Sequence, residues 1–204
     1  MKFNLMFEPV DKKDPEAFMV EKKEDGYKVK YIAIDNEPEN PRSCDNFGKM
    51  VCFHRKYSLG DEDLRDHDYR GRRYHSWDEL KEIIEKDEDI AVILPLYLYD
   101  HSGITIRTYP FEDKWDSEQV GFVFVSKDKV REEFSITDEV LSDEIIDKAK
   151  KILEGEAQIY DNYLKGDVYR LVEEIFDKDG QQIDNSIIGG FYDMECAKKD
   201  LKTF

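Results

Sequence analysis

Apolar and polar residues alternate along many short stretches of this chain, a period that predicts β-strands. Two pairs of these stretches flank a turn that contains glycine, Asp25-Gly26 in the first pair and Lys178-Asp179-Gly180 in the second, and each pair predicts a β-hairpin. The hairpin strands are Ala17–Lys23 with Tyr27–Ile34, and Asp167–Asp177 with Gln181–Ile187. The other predicted strands are Lys2–Glu8, Lys49–His54, Ala91–Tyr99, Ile104–Thr108 and Gln119–Val125.

Helical spacing and capping residues predict four helices between or after the strands. Ser76 and Glu79 form a capping box, in which a hydroxyl precedes a carboxylate by three residues. The longest helix has an apolar stripe and ends before Gly166. The predicted helices are Trp77–Lys86, Lys127–Phe134, Ser142–Leu164 and Asp193–Leu201, and the stripe of the longest is Ile145, Ala149, Ile152, Ile159 and Tyr163.

The mixture of hairpins and interleaved helices predicts an α+β fold with an antiparallel or mixed sheet, packed by the long helix and two or three shorter ones. Pro95 predicts an edge position or a bulge in its strand. We expect one domain over residues 1–204, because no low-complexity linker or repeat divides the chain. The segment 58–75 lacks a clear period and predicts an exposed loop.

The acidity of the chain bears on its partners. Hydrophobic residues make up 40% of the 204 residues, which is typical of a globular protein, and the formal net charge is −17. Such a surface repels nucleic acids and anionic lipids and attracts basic proteins. Residues 1–50 carry 9 basic and 11 acidic residues, so the excess of acid lies in the rest of the chain. The alternative is that the negative charge only keeps the protein soluble and binds no basic partner.

The cysteines and the apolar runs indicate the cellular compartment. The spacing of Cys44, Cys52 and Cys196 matches neither a disulfide framework nor a zinc motif, so we expect reduced thiols and no cofactor. The N-terminus lacks the apolar run of a signal peptide, and Ala91–Tyr99 is too short to span a bilayer. We therefore predict a soluble intracellular protein in a reducing compartment.

Asp100, His101, Ser102 and Gly103 follow one another between two predicted strands. These residue types occur in nucleophilic hydrolases, but neighbours in an extended chain point to opposite faces and cannot form a relay. A turn is the favoured interpretation, with Asp100 and Ser102 bonding nearby backbone N–H groups and Gly103 permitting the backbone angle. A role for His101 in a site is the minority alternative.

Cys52 and His54 are two residues apart on a predicted strand and can face the same side. With His67, His75 or His101 they could form a mixed metal site. A buried thiol beside a histidine at the strand end is favoured, because free cysteines are commonly buried. We accordingly predict no metal site.

Several blocks of the sequence resemble a family of small proteins encoded by phages, plasmids and other mobile elements of Gram-positive bacteria. The most specific blocks are WDSEQVGF and YDHSGITI, and the resemblance covers about residues 45–192. The chain departs from the family at Glu118, where a small residue is common, and in DNSIIGGFY, where a cysteine and a tryptophan are expected. The family has no established activity, so the resemblance implies a setting, an accessory gene on a mobile element.

This setting and the acidity favour a non-enzymatic inhibitor of a host defence system, of the anti-CRISPR or anti-restriction type. It would occupy the basic surface of a nucleic-acid-binding protein without contacting nucleic acid or membrane itself. The alternative is a metal- or histidine-dependent hydrolase or nuclease around His54, His101 and Asp116, and a third possibility is a dimeric scaffold of the mobile element. The predicted partner-binding residues are Asp61, Glu62, Asp63, Asp66, Asp68, Glu79, Glu82, Asp143, Glu144 and Asp147.

Overall fold

The computed structural model describes residues 3–64, 67–113, 115–138 and 140–204. Over these residues it contains eleven β-strands and four α-helices, and the predicted α+β class with antiparallel and mixed sheets is confirmed. The chain forms two compact units. The terminal unit comprises Met1–Glu39 and Asn162–Phe204, and the central unit comprises Asn40–Asp161. The single domain over residues 1–204 stays a prediction.

The elements are numbered in chain order. The strands are β1 Phe18–Lys23, β2 Gly26–Ile34, β3 Lys49–Cys52, β4 Glu62–Asp63, β5 Asp68–Tyr69, β6 Arg72–Arg73, β7 Ile90–Asp100, β8 Ile104–Arg107, β9 Ser117–Ser126, β10 Tyr169–Asp177 and β11 Gln182–Phe191. The helices are α1 Trp77–Asp87, α2 Lys127–Phe134, α3 Asp143–Lys165 and α4 Met194–Leu201.

The terminal unit is built on an antiparallel sheet in the order β1-β2-β10-β11. Both predicted hairpins are confirmed, and they meet where β2 pairs with β10. The side chain of Asp193 caps α4, which packs Ala197 and Leu201 onto Ile32 of β2 and Leu171 of β10. The other face of the sheet carries a second apolar cluster that includes Val29, Tyr31, Ala33, Val172 and Phe176.

The predicted strand Lys2–Glu8 is wrong. Residues 3–8 form no strand, and its first residue lies outside the described part of the chain. Phe3, Leu5 and Phe7 pack on the second apolar cluster of the terminal sheet, which explains the alternation. The backbone N–H of Met6 donates to Glu174 and that of Phe7 to the hydroxyl of Tyr31. Side chains therefore satisfy backbone groups that a neighbouring strand would otherwise bind.

The central unit is built on a sheet in the order β4-β3-β9-β7-β8. Only β3 and β4 are parallel, and the other neighbours are antiparallel. The strongly apolar β9 lies in the middle of this sheet. Leu80 and Ile84 of α1 pack with Phe122 and Phe124 of β9 in one core cluster.

Pro95 occupies the part of β7 that β8 leaves uncovered. β8 pairs only with the last four residues of β7, Tyr97 to Asp100, whereas Pro95 pairs with Phe122 of β9 on the other side. The register shifts between Leu96 and Tyr97. Because proline has no backbone N–H to donate, it fits an open edge next to a bulge, as predicted.

The helices follow the capping signals closely. Ser76 and Ser126 accept bonds from the backbone N–H groups of Glu79 and Lys129 and so cap α1 and α2. Gly166, with a φ of 77°, follows α3. The predicted stripe of α3 is wrong at Ile159, which is 42% exposed. The buried residues of α3 are Ala149, Leu153, Ala157, Tyr160 and Asp161. No helix among the described residues has the length and apolar character needed to cross a membrane.

The segment 58–75 is not the exposed loop that its irregular sequence predicts. Leu59, Leu64, Tyr69 and Tyr74 are each at most 2% exposed, and three of them join the core cluster of α1 and β9. The segment also contributes β4 to the central sheet and the two-stranded ribbon β5-β6. The spacing of its buried residues follows turns and two-residue strands, so neither helical nor strand periodicity detects it.

Candidate active site

A polar cavity of about 370 Å³ opens at one end of the central sheet. It lies where the chain leaves β3, where β7 ends and where β9 begins. The antiparallel register makes these points neighbours, because Cys52 pairs with Gly121 and Tyr99 pairs with Ser117. The lining residues are His54, Arg55, Lys56, Leu98, Asp100, Trp115, Asp116, Ser117 and Glu118.

His101 and Asp116 form a hydrogen-bonded pair beside this cavity. Nδ1 of His101 lies 3.0 Å from Oδ2 of Asp116, and the backbone N–H of Asp100 donates to the carbonyl oxygen of Asp116 at 2.8 Å. A carboxylate can only accept, so in the neutral form of the ring Nδ1 carries the proton and Nε2 carries the lone pair. The imidazole is 63% exposed. This arrangement suits a general base that draws a proton from water or substrate.

His54 is buried, with its side chain 4% exposed, and its protonation state follows from its partners. Nδ1 accepts hydrogen bonds from the backbone N–H groups of Lys56 and Tyr57, each at 3.3 Å. The proton of the neutral ring therefore sits on Nε2, which is 3.4 Å from Oε1 of Glu118. Burial lowers the pKa of His54, so the ring is neutral at pH 7 and can donate from Nε2.

Asp100 turns its side chain toward the segment after β3. Its carboxylate accepts from Nζ of Lys56 at 2.7 Å and from the hydroxyl of Tyr57 at 3.2 Å. The hydrogen bond from Lys56 lowers the pKa of Asp100, and the same bond raises the pKa of Lys56. The two groups thus stay oppositely charged beside His54.

The corner 101–103 is a turn, as favoured from the sequence, and Ser102 and Gly103 have φ angles of 58° and 141°. The side chain of Asp100 does not bond the turn, however, because it binds Lys56 and Tyr57 instead. Neither His101 nor Ser102 is among the lining residues of the cavity, and of the two only His101 is joined to a lining residue, Asp116. The consecutive Asp, His and Ser residues are therefore not a catalytic relay, whereas His101 has its carboxylate partner fifteen residues along the chain, at Asp116.

The structure also places the residues of the mixed metal site considered from the sequence. Cys52 is buried, and burial raises its pKa to about 12, so the thiol is protonated. His67 and His75 line a different cavity from that of His54. Within the described ranges, no group of three or more His, Cys, Asp and Glu side chains could hold a metal ion.

Many of the carboxylates predicted to bind a partner have internal partners. Asp61 accepts from Nε and Nη2 of Arg42, each at 2.7 Å, and from the backbone N–H of Met50. It is therefore a structural ion-pair residue and not a free surface charge. The other engaged carboxylates are Glu62 with Lys49, Asp68 with the backbone of Gly71, Glu79 with the backbone of His75, Glu82 with Lys86 and Glu144 with Lys148.

The remaining members of the predicted set differ in position. Asp143 and Asp147 are exposed on the first turns of α3. Asp63 is half-buried in β4, and Asp66 lies outside the described residues. The predicted partner-binding residues, drawn from the loop after Asp61 and from two helices, thus include both engaged carboxylates and the exposed Asp143 and Asp147, and their role in binding stays a prediction.

Sequence reasoning named His54, His101 and Asp116 for the alternative site. The structure places His54 and Asp116 in the lining of the polar cavity and His101 in a hydrogen bond with Asp116. Sequence reasoning missed Arg55, Lys56, Trp115 and Glu118 as lining residues, although each lies beside a named residue at a strand end. The sequence blocks WDSEQVGF and YDHSGITI meet at this cavity. Comparison of the chain with family models, curated proteins and solved structures finds no match.

Proposed function

We propose that the protein is a histidine-dependent hydrolase and that its catalytic centre is the polar cavity with His54, His101 and Asp116. The observation that carries this proposal is the 3.0 Å hydrogen bond between Nδ1 of His101 and Asp116. Among the described residues no group bonds Nε2 of His101, and Asp116 lines a cavity that also contains the neutral His54. A pocket with several convergent titratable groups is the usual setting of acid–base catalysis.

The residues divide the chemistry of hydrolysis between them. Nε2 of His101 takes a proton from water while the water oxygen attacks the carbonyl carbon, and it returns that proton to the leaving group when the bond breaks. Asp116 orients the ring and stabilises the imidazolium. Nε2–H of His54 donates to the developing oxyanion. In the structure, Oε1 of Glu118 lies 3.4 Å from this Nε2 atom.

The cavity and the charge of the chain favour a small substrate. Its volume of about 370 Å³ lies near the lower end of the range for ligand sites, roughly 300–1,000 Å³. The net charge of −17 repels polyanions such as nucleic acids. Among hydrolysable bonds, the ester or amide of a small neutral or cationic molecule therefore fits better than a polynucleotide phosphodiester.

The His101→Ala and Asp116→Asn variants test the hydrolase. With p-nitrophenyl acetate as the probe, we expect each substitution to lower kcat/KM by about 100-fold or more, the contribution typical of a positioned general base. His75→Ala is the matched control, because His75 is exposed and lines another cavity, and it should retain the parental rate. Hydrolysis by the parent at the buffer rate, or full activity of His101→Ala, would show that the proposal is wrong.

The second candidate is the inhibitor of a host defence system that the sequence favours, acting in the host cytoplasm on a basic nucleic-acid-binding protein. One observation supports it. Residues 132–147 contain seven acidic residues and no lysine or arginine. The exposed carboxylates that the structure describes there are Glu132, Glu133, Asp138, Asp143, Glu144 and Asp147. Such a run on a chain with a net charge of −17 suits a basic protein surface.

A charge-matched pair of variants tests this candidate. One variant replaces Glu132, Glu133, Asp138, Asp143 and Asp147 by their amides, and the control replaces five exposed carboxylates of the terminal unit, Glu8, Glu24, Glu37, Asp179 and Glu195. Basic host proteins retained by the parent at low salt, and released by duplex DNA, should be lost from the first variant and kept by the control. Equal retention by both variants would exclude this acidic run as the contact.

A further inference from the structure

Trp115 lines the polar cavity together with His54 and Asp116, and it is 97% exposed. No other large apolar residue that the structure describes is exposed to that degree. The chain on both sides of it is held, because the backbone N–H of Trp115 donates to Oδ1 of Asp113 at 2.8 Å and the hydroxyl of Ser117 donates to the carbonyl oxygen of Asp113. An indole ring so exposed adds little to the core, and its faces are open to a ligand.

The other side chains of this cavity suit a neutral, polar ligand. Their charges nearly balance, with two basic groups against three acidic ones, and His54 is neutral. The carboxylates keep acceptor capacity beyond their internal bonds, since an ionised carboxylate has about four acceptor sites. Apart from Trp115, Leu98 is the only apolar residue of the described lining, and it is 1% exposed, so the cavity has no apolar wall for a long acyl chain. The charged lining residues are Arg55, Lys56, Asp100, Asp116 and Glu118.

A sugar combines the two kinds of contact that this cavity offers. The C–H groups on one face of its ring carry partial positive charge, which the negative face of an indole attracts. Each of its hydroxyls both donates and accepts, so it can bond basic and acidic side chains alike. We infer that the cavity takes the acetyl ester of a neutral sugar, with the sugar ring stacked on Trp115. This inference rests on the proposed hydrolase and names the substrate class of the same site.

Hydrolysis of such an ester needs only water and the groups already placed. The oxygen of water bonds to the acetyl carbon while Nε2 of His101 takes one proton of that water. The bond between the acetyl carbon and the sugar oxygen then breaks, and the sugar oxygen receives the proton from His101. The products are the free sugar and acetic acid. Trp115 contacts the sugar and not the reacting carbonyl group, so it determines specificity and takes no part in proton transfer.

Acetate release from three esters by the full chain tests the inference. Methyl 6-O-acetyl-glucopyranoside is the sugar ester, cyclohexylmethyl acetate has a ring of the same size without hydroxyls, and ethyl acetate has no ring. We expect kcat/KM for the sugar ester to exceed that for either control by at least about tenfold, since hydrogen bonds and stacking both contribute. If p-nitrophenyl acetate is hydrolysed but the sugar ester is no better a substrate than cyclohexylmethyl acetate, the inference is wrong and the hydrolase stands. If none of the four esters is hydrolysed above the buffer rate, both proposals are wrong.

Variants of Trp115 form the second arm of this test. Trp115→Ala should lower the ratio of kcat/KM for the sugar ester to kcat/KM for ethyl acetate by about tenfold, whereas Trp115→Tyr keeps an aromatic face and should retain most of this ratio. A general loss of folded protein would lower both rates and leave their ratio unchanged. Tyr109→Ala is the matched control, because Tyr109 is 60% exposed and is not among the lining residues of the cavity, and it should keep the parental ratio. If Trp115→Ala keeps the parental ratio as well, the inferred stacking on Trp115 is wrong.

Discussion

Arg42→Met lowers the free energy of unfolding by about 3–5 kcal/mol, the range found when one partner of a buried ion pair is removed. The guanidinium is 2% exposed and lies between the carboxylates of Asp61 and Glu156, and Nη2 also donates to the carbonyl oxygen of Gly48 at 2.6 Å. Methionine keeps most of the apolar stem, so the loss is electrostatic. Two partly buried carboxylates would then face each other without their shared cation.

Urea denaturation measures this loss, and two further variants identify its cause. Lys148→Met breaks an exposed pair with Glu144 on α3 and should change stability by at most about 0.5 kcal/mol. The triple variant Arg42→Met, Asp61→Asn, Glu156→Gln removes the uncompensated charges and should recover most of the stability. If Arg42→Met lowers the free energy of unfolding no more than Lys148→Met does, the buried ion pairs of Arg42 stabilise the protein no more than an exposed ion pair.

Gly121→Ala is expected to destabilise the protein by about 3 kcal/mol or more, at the upper end of the range for overpacking. A Cβ atom at this position would lie 2.0 Å from the carbonyl oxygen of Val51 and 2.9 Å from Cα of Cys52. These are backbone atoms of the neighbouring strand β3, so no side chain can rotate to make room. The methyl group would separate β3 from β9 at the middle of the central sheet.

Gly155→Ala is the matched control for this substitution. Gly155 is an exposed helical residue of α3, and an added Cβ atom meets nothing within 4 Å. The same change should therefore stabilise the protein by about 0.5–1 kcal/mol, because alanine loses less backbone entropy in a helix. Urea midpoints of the two variants should move in opposite directions. A Gly121→Ala midpoint equal to that of the parent would show that β3 and β9 are less closely packed than the structure has them.

Local signals predicted the elements that form from neighbouring residues. The hairpin at Asp25-Gly26, the caps at Ser76 and Ser126 and the end of α3 before Gly166 each depend on contacts within a few residues, which a sequence pattern contains. The predicted strand Lys2–Glu8 was wrong because alternation of apolar and polar residues is itself a local signal. It shows only that one face of the segment is apolar. It does not record whether a neighbouring strand is present to pair with the backbone.

The sequence predicted which residues could take part in the candidate site, but it did not predict that they lie close together. His54, His101 and Asp116 were identified because they follow apolar strands, yet any of several histidines and carboxylates satisfies that description. Their meeting depends on the register of β3, β9 and β7, which pairs residues about 20 to 70 positions apart. Burial then keeps the imidazole of His54 neutral, and the fold places the carboxylate of Asp61 in an ion pair with the buried Arg42.

The amino-acid sequence by itself determined the α+β class, most helix and strand bounds and the acidity of the chain, because these follow from short-range periodicity, turn chemistry and composition. Only the tertiary structure decided which charges are available. It paired Asp61 with Arg42, left Asp143 and Asp147 exposed, and gathered His54 and Asp116 around one polar cavity. Long-range strand pairing and burial set these outcomes, since a charge is free or engaged according to what the fold places beside it.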